Sequence, residues 1–333
     1  MTSNNYQVGV IGGGAWGTAL SILCNRAGSG VMLCTRNGNV IQSILERRTN
    51  EIYLPSVFVD PNITVSDNLA DACKGDILIL AVPSHTLRSV CIAMSDLLPT
   101  ALPIVLASKG IERGSLMLMS EVVKSILPHN PIAILSGPNF AEEAARGMPT
   151  ASAIACTDGA LWDMLMYAIG GRLFRPYLTH DIVGTQIGGA VKNVIAIACG
   201  IAIGKNFGEN ARAAIVTRGF AEIARLTIAK GGKYETLMGL SGLGDLLLTC
   251  GSMKSRNMSF GVALGQGQSK DDILRLRGRT ATEGVIAAES VTKLARKHGV
   301  QMPISDAVYR ILYENANVDQ MVGELLERPF ASE

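Results

Sequence analysis

Val8-Gly9-Val10-Ile11-Gly12-Gly13-Gly14-Ala15-Trp16-Gly17-Thr18-Ala19-Leu20 decides the fold of this chain. A short apolar run ends on Gly12, glycines recur at 14 and 17, and helix-favouring residues follow. The pattern predicts a strand, a tight turn and a helix start, the arrangement in which free backbone N–H groups receive a dinucleotide pyrophosphate. Gly12 lets the chain turn, Gly14 lets the backbone approach the phosphates, and Gly17 lets helix pack closely on strand. Among 36 glycines such a motif alone is weak, and the flanking strand and helix give it weight. The plain alternative is an ordinary βα turn that binds nothing.

Outward from this turn, strand and helix alternate. Residues 31–35 read as a second strand, residues 62–65 as a third, and Asp76–Val82 as a central strand too apolar to be one-faced. Ile104–Ala107 and Ile132–Leu135 look alike, and Thr150–Cys156 with Arg172–Tyr177 extend the same sheet. Ser84 and Ser115 are plausible N-caps of intervening helices. The alternation predicts an α/β fold, a doubly wound Rossmann-type parallel sheet over residues 1–185. From about 181 the texture changes to Ala- and Ile-rich helical spacing, so residues 186–333 are expected to form a second, all-helical domain.

A chain of 333 residues is long enough for two separate cores. Apolar residues make up 48% and charged residues 17%, which argues against disorder. A formal net charge of +2 gives no case for nucleic acid or a membrane surface as partner. Seven cysteines, without CxxC pairing, read as buried hydrophobes in a reducing compartment. No His/Cys/carboxylate cluster suggests a metal. The polar N-terminus leads directly into the first strand, and Val194–Gly204 falls short of the roughly 20 apolar residues of a membrane span. A cytoplasmic protein with no integral membrane association is expected.

The usual acidic residue about 20 positions beyond the glycine motif binds the ribose 2′-OH. Here Leu33-Cys34-Thr35-Arg36-Asn37 occupies that place, with no carboxylate. Arg36 can accept a 2′-phosphate and lie on adenine, so NADP(H) is favoured or at least tolerated beside NAD(H). Otherwise Arg36 is a solvated charge at a helix start. Ligands of open α/β sheets sit outside the carboxyl ends of the strands. Three unusual loops lie there: Val82-Pro83-Ser84-His85, Ser108-Lys109-Gly110-Ile111-Glu112 and Ser136-Gly137-Pro138-Asn139-Phe140-Ala141. Lys109 can meet an anionic or carbonyl substrate there, or be a surface lysine beside a turn. His85 is the one histidine near these loops, and its place just after Pro-Ser suits an exposed or capping role better than acid/base work.

The second informative stretch is Ile187-Gly188-Gly189-Ala190-Val191-Lys192-Asn193-Val194-Ile195-Ala196-Ile197-Ala198. Lys192 stands alone in it as a charge. Burial without a partner would lower the pKa of such an amine toward neutrality, as carbonyl reduction requires of an acid/base. A lysine that snorkels from a helix end is the alternative. Asn193 can orient a hydroxyl or carbonyl. Gly239-Leu240-Ser241-Gly242-Leu243-Gly244-Asp245 mimics a nucleotide loop but follows helix-like sequence, so its expected use is to deliver Asp245 to a ligand. Ser255-Arg256-Asn257 supplies a guanidinium flanked by hydrogen-bonding side chains, suitable for a phosphate.

Together these segments resemble the bacterial-type NAD(P)-dependent glycerol-3-phosphate dehydrogenase family over nearly the whole chain. The signatures are GGGAWGTAL (12–20), VPS (82–84), SKGIE (108–112), SGPNFAEEAARGMPT (136–150), GGAVKNVIAIACG (188–200), NARAAIVTRG (210–219), GLSGLGDLLLTC (239–250), SRN (255–257) and TEGV (282–285). The resemblance implies reversible reduction of dihydroxyacetone phosphate to sn-glycerol 3-phosphate, a step feeding glycerophospholipid synthesis. It also implies a helical domain like the C-terminal domain of 6-phosphogluconate dehydrogenase. By the resemblance, Lys192 is the proton donor and acceptor. Lys109, Gly137, Asn139, Asn193, Asp245, Ser255, Arg256 and Asn257 contact substrate. Gly12, Gly14, Ala15, Trp16, Gly17, Arg36, Lys109, Ala141, Arg256 and Glu283 contact the dinucleotide. Two positions depart from the family pattern: Asn139 stands where Ser or Thr is common, and Thr185-Gln186 where Val-Glu is common.

The nearest rival is a β-hydroxyacid or 6-phosphogluconate-type dehydrogenase, whose Lys and Asn follow K-x-x-N spacing, whereas Lys192 and Asn193 are adjacent. A dinucleotide sensor without turnover is the rival from another class. It has no need of a buried lysine or of a phosphate-binding triplet. The apolar helices of the second half are compatible with a homodimer.

Overall fold

The computed structural model describes residues 5–277 and 283–329. It divides into two compact units, residues 1–112 with 117–186, and residues 113–116 with 187–333. The first unit runs β1 (Gln7–Ile11), α1 (Ala15–Arg26), β2 (Gly30–Cys34), α2 (Gly38–Arg47), β3 (Thr49–Asn50), β4 (Leu54–Phe58) and β5 (Ile63–Ser66). It continues through α3 (Leu69–Ala72), β6 (Ile77–Leu80), α4 (Leu87–Met94), β7 (Ile104–Leu106), α5 (Met119–Ile126) and β8 (Ile132–Ser136). It closes with α6 (Ala141–Ala145), β9 (Thr150–Ala155), α7 (Gly159–Ile169) and β10 (Phe174–Thr179).

Eight strands form one sheet in the order β10-β9-β8-β7-β6-β1-β2-β5. The chain builds outward from β1 to β2 and β5, then returns to the other side of β1 with β6. That reversal makes the crevice at the end of β1 a topological switch point. Ile77–Leu80 is buried at every position, as a strand covered on both faces must be. Leu20, Leu33 and Ile79 belong to the core on one face, and Leu78, Leu80 and Met94 to the core on the other.

One difference from the expected parallel sheet stands out. β9 runs antiparallel to β8, pairing Ser136 with Ala153 and Ile134 with Ala155, and β10 then runs parallel to β9. The connection over residues 137–149 carries only the short α6 (Ala141–Ala145), and the chain turns back beside β8 instead of crossing over to run parallel. Pro176 lies in the edge strand β10, where a residue without an N–H blunts pairing with another chain. The expected caps also differ. Ser84 sits inside a 3₁₀ turn, and Glu121 rather than Ser115 serves the start of α5, accepting from the Leu118 N–H at 2.8 Å.

α8 (Ile182–Gly204) begins in the first unit and continues through the second. The helical unit adds α9 (Gly208–Ala229), α10 (Tyr234–Leu237), α11 (Asp245–Cys250), α12 (Arg256–Gly265), α13 (Lys270–Arg277), α14 (Glu283–Lys297), α15 (Pro303–Tyr313) and α16 (Val318–Leu326). α8 is longer than the apolar stretch Val194–Gly204 suggested. By length and composition it could cross a membrane, yet 83% of its apolar window is buried inside the protein, the pattern of a core helix. α8 and α12 meet backbone to backbone. A Cβ on Gly200 would stand 2.1 Å from the Met258 carbonyl oxygen, and one on Gly261 2.1 Å from that of Ile197. The glycine seam sets α12 against the carboxyl-terminal part of α8. All seven cysteines are free and buried.

Candidate active site

β1, β2, β6, β7 and β8 are parallel neighbours, so their carboxyl ends share one edge of the sheet. That edge carries the glycine turn, Arg36, Lys109, Gly137 and Asn139. Gly12 has φ +121°, which L side chains rarely adopt, and a Cβ there would stand 2.7 Å from the Ala81 carbonyl oxygen. A Cβ on Gly17 would stand 1.8 Å from the Gly12 carbonyl oxygen, whereas one on Gly14 would have nothing within 4 Å. Gly14 therefore faces open space at the N-terminus of α1, which has no side-chain cap. Its first-turn N–H groups are left to a ligand or water. These residues fit a dinucleotide pyrophosphate. Ala15, Trp16 and Ala141 pack as partly buried side chains against the same apolar core, where α1 meets α6.

Arg36 is exposed at the end of β2, just before Asn37, whose side chain caps α2. The Ser108 hydroxyl donates to the Val82 carbonyl at 2.5 Å, tying two of the three loops. Lys109 Nζ donates to the Gly137 carbonyl at 3.3 Å, tying the third. The Asn139 amide donates from Nδ2 to the Ala151 carbonyl at 3.0 Å, and its Oδ1 accepts from the Ser152 hydroxyl at 2.5 Å. Arg88 grips Glu112 with two parallel hydrogen bonds of 2.8 Å, bracing the far end of the Lys109 loop.

In the helical unit Lys192 is 7% exposed and Asp245 only 1%. Lys192 Nζ donates to Asp245 Oδ1 at 2.5 Å and to the Thr249 hydroxyl oxygen at 2.9 Å. The lysine is therefore buried as its surroundings suggested, but not without a partner. The pair sets a carboxylate oxygen directly against the amine. Thr249 lies one helical turn beyond Asp245 and donates to its backbone carbonyl at 2.6 Å. A π-helical turn, Leu240–Gly244, precedes α11 and swings Asp245 toward α8. The glycine-rich 239–244 segment thus serves close packing and delivery of Asp245.

Beside the ion pair runs a chain of amides. Asn257 Nδ2 donates to Asn193 Oδ1 at 2.9 Å, Asn257 Oδ1 accepts from the Gly284 N–H at 2.9 Å, and Asn193 Nδ2 donates to Glu283 Oε2 at 3.3 Å. Ser255 caps α12, accepting from the Met258 N–H at 3.2 Å, and Arg256 is exposed in the first helical turn. Arg277 donates to the Arg256 carbonyl at 2.7 Å. Thr282 of the TEGV stretch lies outside the described residues.

Each unit thus brings its own candidates together, while His85 stays exposed. Sequence reasoning missed Thr249 and Ser152. The spacing of Thr249 from Asp245, one turn on a helix, was a usable signal for the first; none pointed to the second. Gln186, the other departure, is buried and saturated. Its Oε1 accepts from the Ser120 N–H at 2.9 Å, while Nε2 donates to the Ser120 hydroxyl at 2.8 Å and the Ile182 carbonyl at 3.0 Å. Among the described residues, no group of three or more His, Cys, Asp or Glu side chains is placed to hold a metal ion.

Comparison with known proteins agrees over both units. Residues 7–161 match the N-terminal model of NAD-dependent glycerol-3-phosphate dehydrogenase, and residues 181–323 its C-terminal model. A glycerol-3-phosphate dehydrogenase [NAD(P)+] of Parvibaculum lavamentivorans is 46% identical over 333 residues, all of both chains. One from Rhodospirillum rubrum is 48% identical over 328 residues, 98% of this chain and 94% of that one. The crystal structure of glycerol-3-phosphate dehydrogenase from Coxiella burnetii superposes with a TM-score of 0.93 at 38% identity, covering 97% of this chain and 99% of that one. A turn shaped for a pyrophosphate, a buried lysine paired with an aspartate, and these matches lead to one assignment: the chain belongs to the NAD-dependent glycerol-3-phosphate dehydrogenase family.

Proposed function

We propose that this chain reduces dihydroxyacetone phosphate reversibly to sn-glycerol 3-phosphate, feeding glycerophospholipid synthesis. The observation that carries the reading is the buried Lys192–Asp245 pair, a cationic proton donor held in an apolar helix. NAD(P)H, when bound, supplies the hydride. The N–H groups after Gly14 would hold its pyrophosphate, with Ala15, Trp16 and Ala141 as further contacts, and Arg36 would hold the adenosine end. Glu283 and Arg256 add cofactor contacts.

Lys192, as ammonium, protonates the oxygen of the reduced carbonyl, and takes that proton back in the reverse direction. Asp245 and Thr249 fix the amine, so the proton leaves from a defined position. Arg256, Ser255 and Asn257 bind the substrate phosphate, where a guanidinium offers a planar fork of donors. Lys109, Gly137, Asn139 and Asn193 contact the triose, Lys109 adding positive charge near the developing oxyanion. The adjacency of Lys192 and Asn193 separates this arrangement from the K-x-x-N dehydrogenases. A cytoplasmic location and a homodimer belong to the same reading, the latter supported by the exposed apolar side chains Ile228, Met238 and Leu247 of the helical unit.

The test is NADPH oxidation with dihydroxyacetone phosphate set against unphosphorylated dihydroxyacetone. Turnover confined to the phosphorylated ketone is expected. Equal turnover of both, or turnover of neither, rejects the assignment.

A further inference from the structure

Asn139 is a candidate substrate contact at which this chain departs from its family's usual Ser or Thr. Its amide has two ends, and the surroundings distinguish them. A backbone carbonyl only accepts, so the end at 3.0 Å from the Ala151 oxygen must be Nδ2. The other end is then Oδ1, and the Ser152 hydroxyl, 2.5 Å away, must donate to it. Ser152 is fully buried on β9, which the antiparallel register lays against β8 just where the Gly137–Asn139 loop begins. Gly137 permits that approach, since a Cβ there would stand 2.9 Å from the Ser152 Cα.

We infer that Ser152 is a positioning residue for substrate binding, holding the Asn139 amide so that its second Nδ2 hydrogen is the group offered to a substrate oxygen. With Oδ1 turned to Ser152, the end of Asn139 offered to a ligand is a donor, the same polarity that a serine or threonine hydroxyl presents to a phosphate or hydroxyl oxygen. Asn139 and Ser152 therefore act as one unit in place of a single hydroxyl. Without Ser152, Oδ1 loses its donor and the amide is held at one end only, by the Ala151 carbonyl, so its second Nδ2 hydrogen is no longer aimed in a fixed direction.

The inference rests on the substrate reading of Asn139, and a double-mutant cycle separates the two. Ser152→Ala, Asn139→Ser and the double variant are compared by KM for dihydroxyacetone phosphate, kcat, KM for NADPH and Tm. Ser152→Ala is expected to raise KM for dihydroxyacetone phosphate by about 3- to 10-fold, with kcat and KM for NADPH within about twofold. In the Asn139→Ser background the same change is expected to leave KM alone, because no amide remains to be held. Asn139→Ala serves as control and should also raise KM. If Asn139→Ala raises KM and Ser152→Ala does not, or if Ser152→Ala acts equally with and without Asn139, the positioning role is overturned. If Asn139→Ala leaves KM unchanged, the substrate reading of Asn139 itself fails. A Ser152→Ala variant that lowers Tm without moving KM marks Ser152 as structural only and also overturns the inference.

Discussion

Lys192 and Asp245 form an ion pair 2.5 Å long, although the side chains retain only 9% and 1% of their exposure. Taking two charges out of water is costly, and their attraction offsets that cost only with good geometry and further hydrogen bonds. Thr249 supplies one, accepting from Nζ at 2.9 Å. Removing a single partner strands the other. Asp245→Asn is expected to cost about 3–5 kcal/mol of stability by denaturant unfolding, with a large loss of kcat. Lys192→Met/Asp245→Asn should recover part of the stability and none of the activity. Strict additivity of the two single losses would show that the pair is not coupled.

The glycine turn separates folding from binding at residues three apart. Gly17→Ala drives a methyl into the Gly12 carbonyl and should lower stability by at least about 1–3 kcal/mol. Gly14→Ala meets open space at an ordinary φ of −74°, so Tm should hold. Its effect is expected in the Kd for NADPH, measured by fluorescence titration, because the methyl fills the approach of the phosphates. Unchanged binding in Gly14→Ala would remove the pyrophosphate from this turn.

Arg36 stands exposed where an acidic ribose ligand is usual. Arg36→Ala should lower kcat/KM for NADPH by about 10- to 100-fold while changing that for NADH far less, as loss of a charge-assisted bond to a 2′-phosphate would. The NADPH/NADH ratio of kcat/KM checks this, and an unchanged ratio rejects the role.

Arg256→Ala should raise KM for dihydroxyacetone phosphate by about 10- to 100-fold. Added salt should weaken binding of the phosphorylated ketone to the wild type more than to the variant, since an exposed guanidinium is screened. Equal KM in both proteins would exclude Arg256 from the phosphate site.

Glu222 of α9 is a buried carboxylate that accepts from the Ile304 N–H at 2.6 Å, the Ser305 N–H at 3.1 Å and the Ser305 hydroxyl at 2.8 Å. It caps α15 from another helix. Burial pushes its pKa up, the three hydrogen bonds and Arg225 pulling the other way. Because the folded value lies above the ordinary 4.5, the folded state holds this proton more tightly than the unfolded chain. The contribution from this group is full below pH 4.5 and declines as pH rises through the raised value. Glu222→Gln should remove that decline, seen in Tm against pH. It should also cost about 1–3 kcal/mol, because the amide keeps one acceptor oxygen and turns an NH2 donor toward an N–H that the other carboxylate oxygen served.

The glycine turn was legible because strand, turn and helix start are encoded within one continuous stretch. Lys192 was legible because a lone charge in an apolar helix has nowhere solvated to go. Its partner was not read from position alone, since Asp245 reaches it through a π-helical turn that no local pattern announces. Thr249 and Ser152 are ordinary core hydroxyls by composition, and their meaning depends on which residue the fold brings opposite. The direction of β9 was illegible for a similar reason. A short apolar strand reads alike in either sense, and its direction follows from how the fold pairs it with β8 and β10.

The most direct test of the central claim is single-turnover oxidation of NADPH by dihydroxyacetone phosphate in wild type and Lys192→Met, with Kd for NADPH measured alongside. A fall of about 10²- to 10⁴-fold in the chemical step at unchanged Kd is the predicted result. A Lys192→Met enzyme that reduces the ketone at the wild-type rate would contradict it.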